Sequence, residues 1–342
     1  MTRHPKKRKV ANSKVSKGRS TRIEVAHPPE LFHYTNLGAL KGILASNELW
    51  ATSAFHLNDS SEMQNLWPLL EDPMREAFER RIVSDRNLNT LASARGGAAQ
   101  AAHRLSRHWI DTVRGSLFGG SEREGRIGRP FVTSFAAHSG PGQSDEYHRT
   151  HGMLSQWRGY AGVDGVALVF ATQGLMELLD RESKAHAYGN VIYDISDQEI
   201  VDVVREFSEF APVILENDSV YGESVLEEIV DPLINIVTKL KHRGFSEECE
   251  HRVVAVPTPE HLRNVILVPG DPPLKPICHR RGGAASIPYI RLFQGFGYSL
   301  PITRIVVGPS RVQRAILEEV QELVRGLGIA VQGSEIPYVG SV

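Results

Sequence analysis

Cysteine is nearly absent: Cys249 and Cys278 are the only two in 342 residues. Two cannot build a disulfide framework or a thiolate zinc cage, which points to a reducing cytosol. No apolar run is long enough to span a bilayer, and the N-terminus lacks the apolar core of a secretory signal. No internal repeat is present. No Gly-rich phosphate loop of Walker or dinucleotide type occurs, since Gly159-Tyr160-Ala161-Gly162 reads as a helix end. No Gly-x-Ser-x-Gly elbow occurs either. P-loop nucleotide hydrolysis, a Rossmann dehydrogenase and an α/β-hydrolase are therefore disfavoured.

What is present suits a globular chain, with 41% hydrophobic and 23% charged residues. The net charge of −1 conceals a division. Residues 1 to 22 carry nine Lys or Arg (Arg3, Lys6, Lys7, Arg8, Lys9, Lys14, Lys17, Arg19, Arg22) and no acid. Removing those nine from 39 basic residues leaves 30 against 40 acidic ones, a net of −10 for the remainder. Residues 1–24 lack apolar periodicity and are expected to be a disordered basic tail able to touch nucleic acid or an acidic partner. Within it, Pro5 to Val10 resembles a short nuclear-import string. A vector-derived tag and a plain solvated tail fit it equally in kind, the plain tail being the default. The body, residues 25–342, is expected to form a single α+β domain with helical insertions at about 64–118 and 197–241, because strands and helices alternate irregularly.

The most informative stretch runs from Leu31 to Met63. Leu31-Phe32-His33-Tyr34 reads as a strand, Thr35 as a helix N-cap, and Leu37, Leu40, Ile43 and Leu44 follow at helical spacing. Leu49 to Thr52 reads as a second strand, and Asn58-Asp59 as turn chemistry leading to Glu62. His33 and Tyr34 thus lie at a strand-to-helix mouth, where ligands tend to bind; as plain core residues they would need no such role. Farther on, Phe131–Phe135 reads as a strand, residues 136–152 as a loop, and Met153–Ala161 as a short helix with Ser155, Trp157 and Tyr160. Val166–Phe170 is apolar throughout and reads as a central strand. Residues 197–241 read as helix in pieces divided near Asn217 and Gly222. Glu247, Glu248 and Glu250 lead into Arg252 and an apolar strand over Val253–Val256. The chain closes on a strand over Ile302–Val307, an amphipathic helix over Val312–Leu327 and Ser334-Glu335-Ile336-Pro337-Tyr338.

The segments HYTNLGALKGILASNELWATSAFHLNDSSE, VTSFA, LSQWRGYAGVDGVALVF, EECEHRVV, PITRIVVGP and SEIPY occur in this order. Together they resemble the bacterial domain-of-unknown-function family 2971 over about residues 31–338. Members of that family are often encoded near prophage and defence genes. The motif order is also similar, more remotely, to the ADP-ribosyltransferase superfamily, in which a His strand, an aromatic motif and a late Glu form a triad. The chain departs from the family pattern where Ser60 replaces a proline, where Phe245 stands three residues before Glu248, and where Val339 replaces a closing arginine.

The remote resemblance implies a split β-sheet core of ADP-ribosyltransferase type, NAD as substrate, and an acceptor that is a protein, a nucleic acid or water. Breaking the nicotinamide–ribose bond passes through an oxocarbenium-like ribose. His33 would hold the ribose or amide end, with Thr35, Ser155 and Arg252 as further contacts. Tyr160 or Trp157 would stack on the nicotinamide. Glu250 and Glu248 would share one strand face, one binding ribose and the other serving as base, with one carboxyl pKa raised by their closeness. The bland alternatives are a solvated acidic run at 247–250, a core Trp157–Tyr160 pair and an Arg252 that only pairs with an acid. Asp145, Glu146, His148 and His151 offer metal-ligand types close together, but no metal site is assigned. The expected protein is a cytoplasmic, bacterial, phage-defence or toxin-type effector acting on NAD. A NAD glycohydrolase, or a non-enzymatic sensor or interaction module, is the rival.

Overall fold

The computed structural model describes residues 27–57, 63–118, 129–138, 143–182, 186–257, 275–282, 285–295 and 297–338. The readings of the basic tail, Asn58, Asp59, Ser60, Glu62 and Val339 lie outside these residues. Among the described residues ten strands form one mixed sheet flanked by helices, an α+β arrangement. No helix among them is long and apolar enough to cross a membrane.

Strand β1 (Glu30–Asn36) pairs along its whole length with β4 (Gly165–Ala171), and β4 pairs on its other edge with β9 (Ile302–Val307). Paired on both edges, β4 is buried on both faces, which is why Val166–Phe170 carries no polar residue. Strand β10 (Ala330–Gly333) extends this half in parallel with β9. The other half holds β2 (Leu49–Ser53), β8 (Ala285–Leu292) and β7 (Cys278–Gly282). The halves meet on β3 (Phe131–Ala136). One edge of β3 is fully paired with β6 (Glu250–Ala255), which in turn pairs with β5 (His186–Asn190). The opposite edge is shared. Phe32 of β1 pairs with Ala136 at one end, while Ser53 and Thr52 of β2 pair with Phe131 and Val132 at the other. Between these ends β1 and β2 diverge, and the sheet splits.

Helices cover both faces. Helix α1 (Leu37–Ser46) packs below the split with α7 (Thr172–Glu182) and α9 (Gln313–Leu323), around Leu31, Phe135, Leu168 and Ile305. The α1 N-cap is Asn36, whose side chain accepts from the Ala39 amide at 2.8 Å. Thr35 was the expected cap, but it is still a strand residue paired with Val166. Helices α2 (Trp67–Ser84), α3 (Arg86–Ser93), α4 (Ala98–Phe118) and α8 (Gln198–Val237) form a second layer, with Trp109 and Val113 in its core. Helix α8 is continuous where the sequence suggested a break near Asn217 and Gly222. One glycine costs a helix only about 1 kcal/mol, too little to break a long one by itself. Residues 143–151, expected as loop, form helix α5 (Gln143–His151). Its acids lie in the first turn and His148, Arg149 and His151 in the last, which suits the helix dipole.

The segment that carries Tyr160 is a short helix, α6 (Leu154–Gln156), widening into a π turn over Trp157–Ala161. Trp157 anchors it. Its indole is buried among Phe32, Tyr34, Ala167 and Val306, and it donates to the His151 carbonyl at 3.0 Å. The ring lies against Gly152 and Gly308, where a Cβ would come within 2.5 and 2.8 Å of it. Gly152 also has φ +75.

A cleft at the split of the sheet

The split leaves a cleft of about 290 Å³. His33, Tyr160, Glu248, Glu250 and Arg252 all line it, although they come from β1, the π turn, the approach to β6 and β6 itself. Trp157, Thr35 and Ser155 do not. Trp157 is 2% exposed and belongs to the core, Thr35 stays in the ladder with β4, and the Ser155 hydroxyl is buried without a hydrogen-bond partner.

His33 occupies the gap between the diverging strands. Its Nδ1 lies 3.0 Å from the carbonyl oxygen of Ser134. A carbonyl can only accept, so Nδ1 carries the proton and Nε2 is left as an acceptor. Burial holds the imidazole pKa below its usual value, opposed by the bond to Ser134. The ring is therefore neutral near pH 7. In this tautomer the donor is already engaged, so a ligand at this wall would donate to Nε2.

The carboxylates are not equivalent. Glu250 and Arg252 are two apart on β6, so their side chains stand on the same face. The guanidinium grips the carboxylate twice, Nε to Oε1 at 2.7 Å and Nη2 to Oε2 at 2.9 Å. Lys241 Nζ adds a bond to Oε2 at 3.0 Å, and Ser134 donates as well. A carboxylate offers about four acceptor positions, so Glu250 is saturated. Burial alone would raise its pKa, but Arg252, Lys241 and Ser134 outweigh that and hold it below the usual carboxylate value. For Glu250, therefore, the crowding of acids does not raise the pKa, because Arg252 and Lys241 bind its carboxylate.

Glu248 does not lie on the strand. It ends a 3-10 turn over Arg243–Glu248, and Cys249 then takes a left-handed conformation, φ 44, before β6 begins. The shared strand face inferred from the Glu-x-Glu spacing therefore does not exist. The two acids meet through Lys241, which bonds Glu248 Oε2 at 2.6 Å as well as Glu250. Glu248 Oε1 accepts from the Tyr160 hydroxyl at 3.0 Å. Among the described residues two positions of this carboxylate are thus engaged, and its side chain is 12% exposed. Burial and the neighbouring Glu248 push the Tyr160 phenol up to about 12.

Lys241 was not anticipated. It follows α8 and is pinned by its amide bond to the Ile192 carbonyl, with its side chain 4% exposed. Burial works against its charge, yet Glu250 and Glu248 raise its pKa above the ordinary lysine value. Two cations and two anions make the cluster neutral. No local motif signals this: Thr238-Lys239-Leu240-Lys241 reads as an ordinary basic helix end. Gln156, Trp50, Thr52, His56 and Arg280 also line the cleft and were likewise unassigned.

Among the described residues no cluster of three metal-ligating side chains gathers, at the α5 histidines or elsewhere. His138 instead shares a hydrogen bond of 3.0 Å between its Nε2 and the Tyr34 hydroxyl, and Tyr34 accepts from the Met153 amide at 3.0 Å. No curated protein and no solved structure matches the chain. Residues 156–253, from the π turn through the Lys241–Arg252 cluster, match the family described as Protein of unknown function (DUF2971).

Proposed function

We propose that the cleft binds NAD and cleaves its nicotinamide–ribose bond, passing the ADP-ribosyl group to a protein, a nucleic acid or water. One observation carries the reading: an acceptor imidazole, an exposed aromatic ring and a carboxylate with free acceptor positions, all distant in sequence, line one cleft at the split of the sheet. His33 Nε2 accepts from a ribose hydroxyl. The Tyr160 ring, 39% exposed, lies against the cationic nicotinamide. Glu248 faces the anomeric carbon and stabilises positive charge as the C–N bond breaks. The bonding electrons leave on the nicotinamide nitrogen. The acceptor's lone pair then closes on the anomeric carbon and its proton passes to Glu248. Glu250, with Arg252 and Lys241, holds Glu248 and Tyr160 in place, so the catalytic carboxylate is Glu248 rather than Glu250. In this reading the protein is a phage-defence or toxin-type effector of bacterial cytoplasm.

The saturation of Glu250 also favours a second reading, a ligand-sensing module without turnover, because a fully bonded acid is what a purely structural cluster requires. NAD labelled separately on its nicotinamide and its adenylate separates the two. Nicotinamide release that is lost in Glu248→Gln and in His33→Ala supports the enzyme, and retained adenylate label identifies a transferase. NAD binding by calorimetry without release leaves the sensor. Neither binding nor release sinks both.

A further inference from the structure

The part of the cleft lined by β2 and β7 has its own chemistry. Strand β2 alternates buried Leu49, Ala51 and Ser53 with outward Trp50 and Thr52. Register places Arg291 opposite Trp50 and Tyr289 opposite Thr52, on the same outward face. Strand β7 continues that face with Arg280, opposite Ile287 of β8. The Trp50 and Tyr289 rings stack, with centroids 4.2 Å apart and planes 26° from parallel. Tyr289 stacks on the indole, yet Trp50 remains 47% exposed and lines the cleft. Arg280 Nη2 reaches across to the Thr52 hydroxyl at 3.3 Å, and among the described residues no carboxylate pairs with it. A cation without an acid stands out on a body whose net charge is negative.

We propose that the stacked Trp50–Tyr289 pair, with Arg280 and Thr52 beside it, is a nucleotide subsite: a nucleobase stacks on the exposed indole of Trp50 and its phosphate is held by the Arg280 guanidinium. The indole supplies a π-face that any base can use, and the guanidinium supplies a fork matched to phosphate oxygens. The size of the cleft gives the subsite its place. Pockets for drug-sized ligands run from about 300 to 1,000 Å³, so a cleft of about 290 Å³ cannot enclose a dinucleotide. One nucleoside fits within it, and the other lies at its Trp50–Arg280 edge, on the outward face of β2 and β7. The proposal rests on the reading of the cleft as a NAD site only for the identity of the whole ligand; the subsite itself is tested with a nucleotide that has no nicotinamide.

The experiment is calorimetric titration of the full chain with AMP and with adenosine. AMP is expected to bind at least tenfold more tightly than adenosine. Trp50→Ala is expected to weaken AMP about tenfold or more, with Trp50→Phe restoring most of it, since stacking needs only the ring. Arg280→Gln is expected to reduce AMP to the affinity of adenosine and leave adenosine unchanged. Trp67, Trp109 and Trp157 are buried, so AMP should quench mainly the Trp50 fluorescence of the wild type. A single-stranded decanucleotide run beside AMP identifies the source of the nucleotide: tighter, Trp50-dependent binding assigns a nucleic-acid strand, and equal or weaker binding assigns a free nucleotide. Either supports the subsite. Equal AMP affinity in wild type, Trp50→Ala and Arg280→Gln, with unchanged circular dichroism, overturns it. Because AMP lacks nicotinamide, AMP binding without NAD cleavage leaves the subsite standing while the catalytic reading falls.

Discussion

Exchanging Glu250 for Gln while leaving Glu248 intact, and the reverse, separates the structural from the functional acid. Glu250→Gln keeps the shape but turns a neutral set of two anions and two cations into one with a net charge of +1. Arg252 and Lys241 are 1% and 4% exposed at their side chains, so water cannot compensate. Removing one partner of a buried ion pair costs about 3–5 kcal/mol, and a value in this range is expected here. Glu248→Gln retains an acceptor for Tyr160 and leaves Lys241 paired with Glu250; a loss of about 1 kcal/mol is expected, as for one charge-assisted bond exchanged for a neutral one. The apolar double variant Glu250→Leu, Arg252→Leu should recover most of the stability, because a buried pair is often no better than a well-packed apolar one. Urea unfolding of the four proteins measures this directly. The pH dependence gives a second readout. Glu250 has a folded pKa below its unfolded value, so its contribution is complete above the unfolded carboxylate pKa, about 4.3, and is lost as pH falls through the folded value. Glu250→Gln should flatten that acid limb. The reasoning fails if Glu250→Gln costs under about 1 kcal/mol, or if Glu248→Gln proves the more destabilising of the two.

His138 is buried and held neutral, its pKa lowered to about 4 by burial and by His148 and Arg149, against the opposing pull of Asp145. The unfolded chain takes up this proton near pH 6.5 and the folded chain only near 4, so stability falls between those values by about 3 kcal/mol. Replacing His138 by Gln, which can still share a hydrogen bond with Tyr34, should remove that part of the pH slope in urea titrations between pH 7 and 4. At Gly308 an alanine methyl would lie 2.8 Å from the Trp157 ring and 3.1 Å from the Gly165 carbonyl. Gly308→Ala should therefore destabilise by about 1–3 kcal/mol, an overpacking cost, and the thermal midpoint will report it. Trp157→Ala should cost about 3–5 kcal/mol as a buried aromatic truncation. By displacing the π turn it should also weaken any ligand held by Tyr160, read in the same calorimetric assay.

Local pattern made much of the fold legible. The apolar run Val166–Phe170 read as a central strand and is one, covered on both faces, and Leu49–Thr52 read as a strand and is one. Trp109 and Val113, one helical turn apart, had to share a face. Patterns of this kind repeat within a few residues, so the sequence carries them without help from the rest of the chain. Where neighbours compete, local reading erred: Thr35 and Asn36 are both capping residues, and only the ladder with β4 decides that Asn36 takes the role. The charge order of α5 favoured a helix, but turn residues around it masked the signal.

His33, Tyr160, Glu248 and Glu250 were identifiable as chemistry-bearing residues from their types and order. That they line one cleft was not, because it depends on β1 and β2 sharing one edge of β3 at opposite ends. The sequence by itself determined most of the strands, the burial of the central one and the candidate polar groups. Only the tertiary structure decided which nitrogen of His33 is an acceptor, and that Glu250 is saturated while Glu248 is not. It also brought Lys241 from the end of α8 to neutralise both acids. Hydrogen-bond saturation and ion pairing are fixed by atoms distant in sequence, and no local pattern encodes which cation will arrive beside a buried acid.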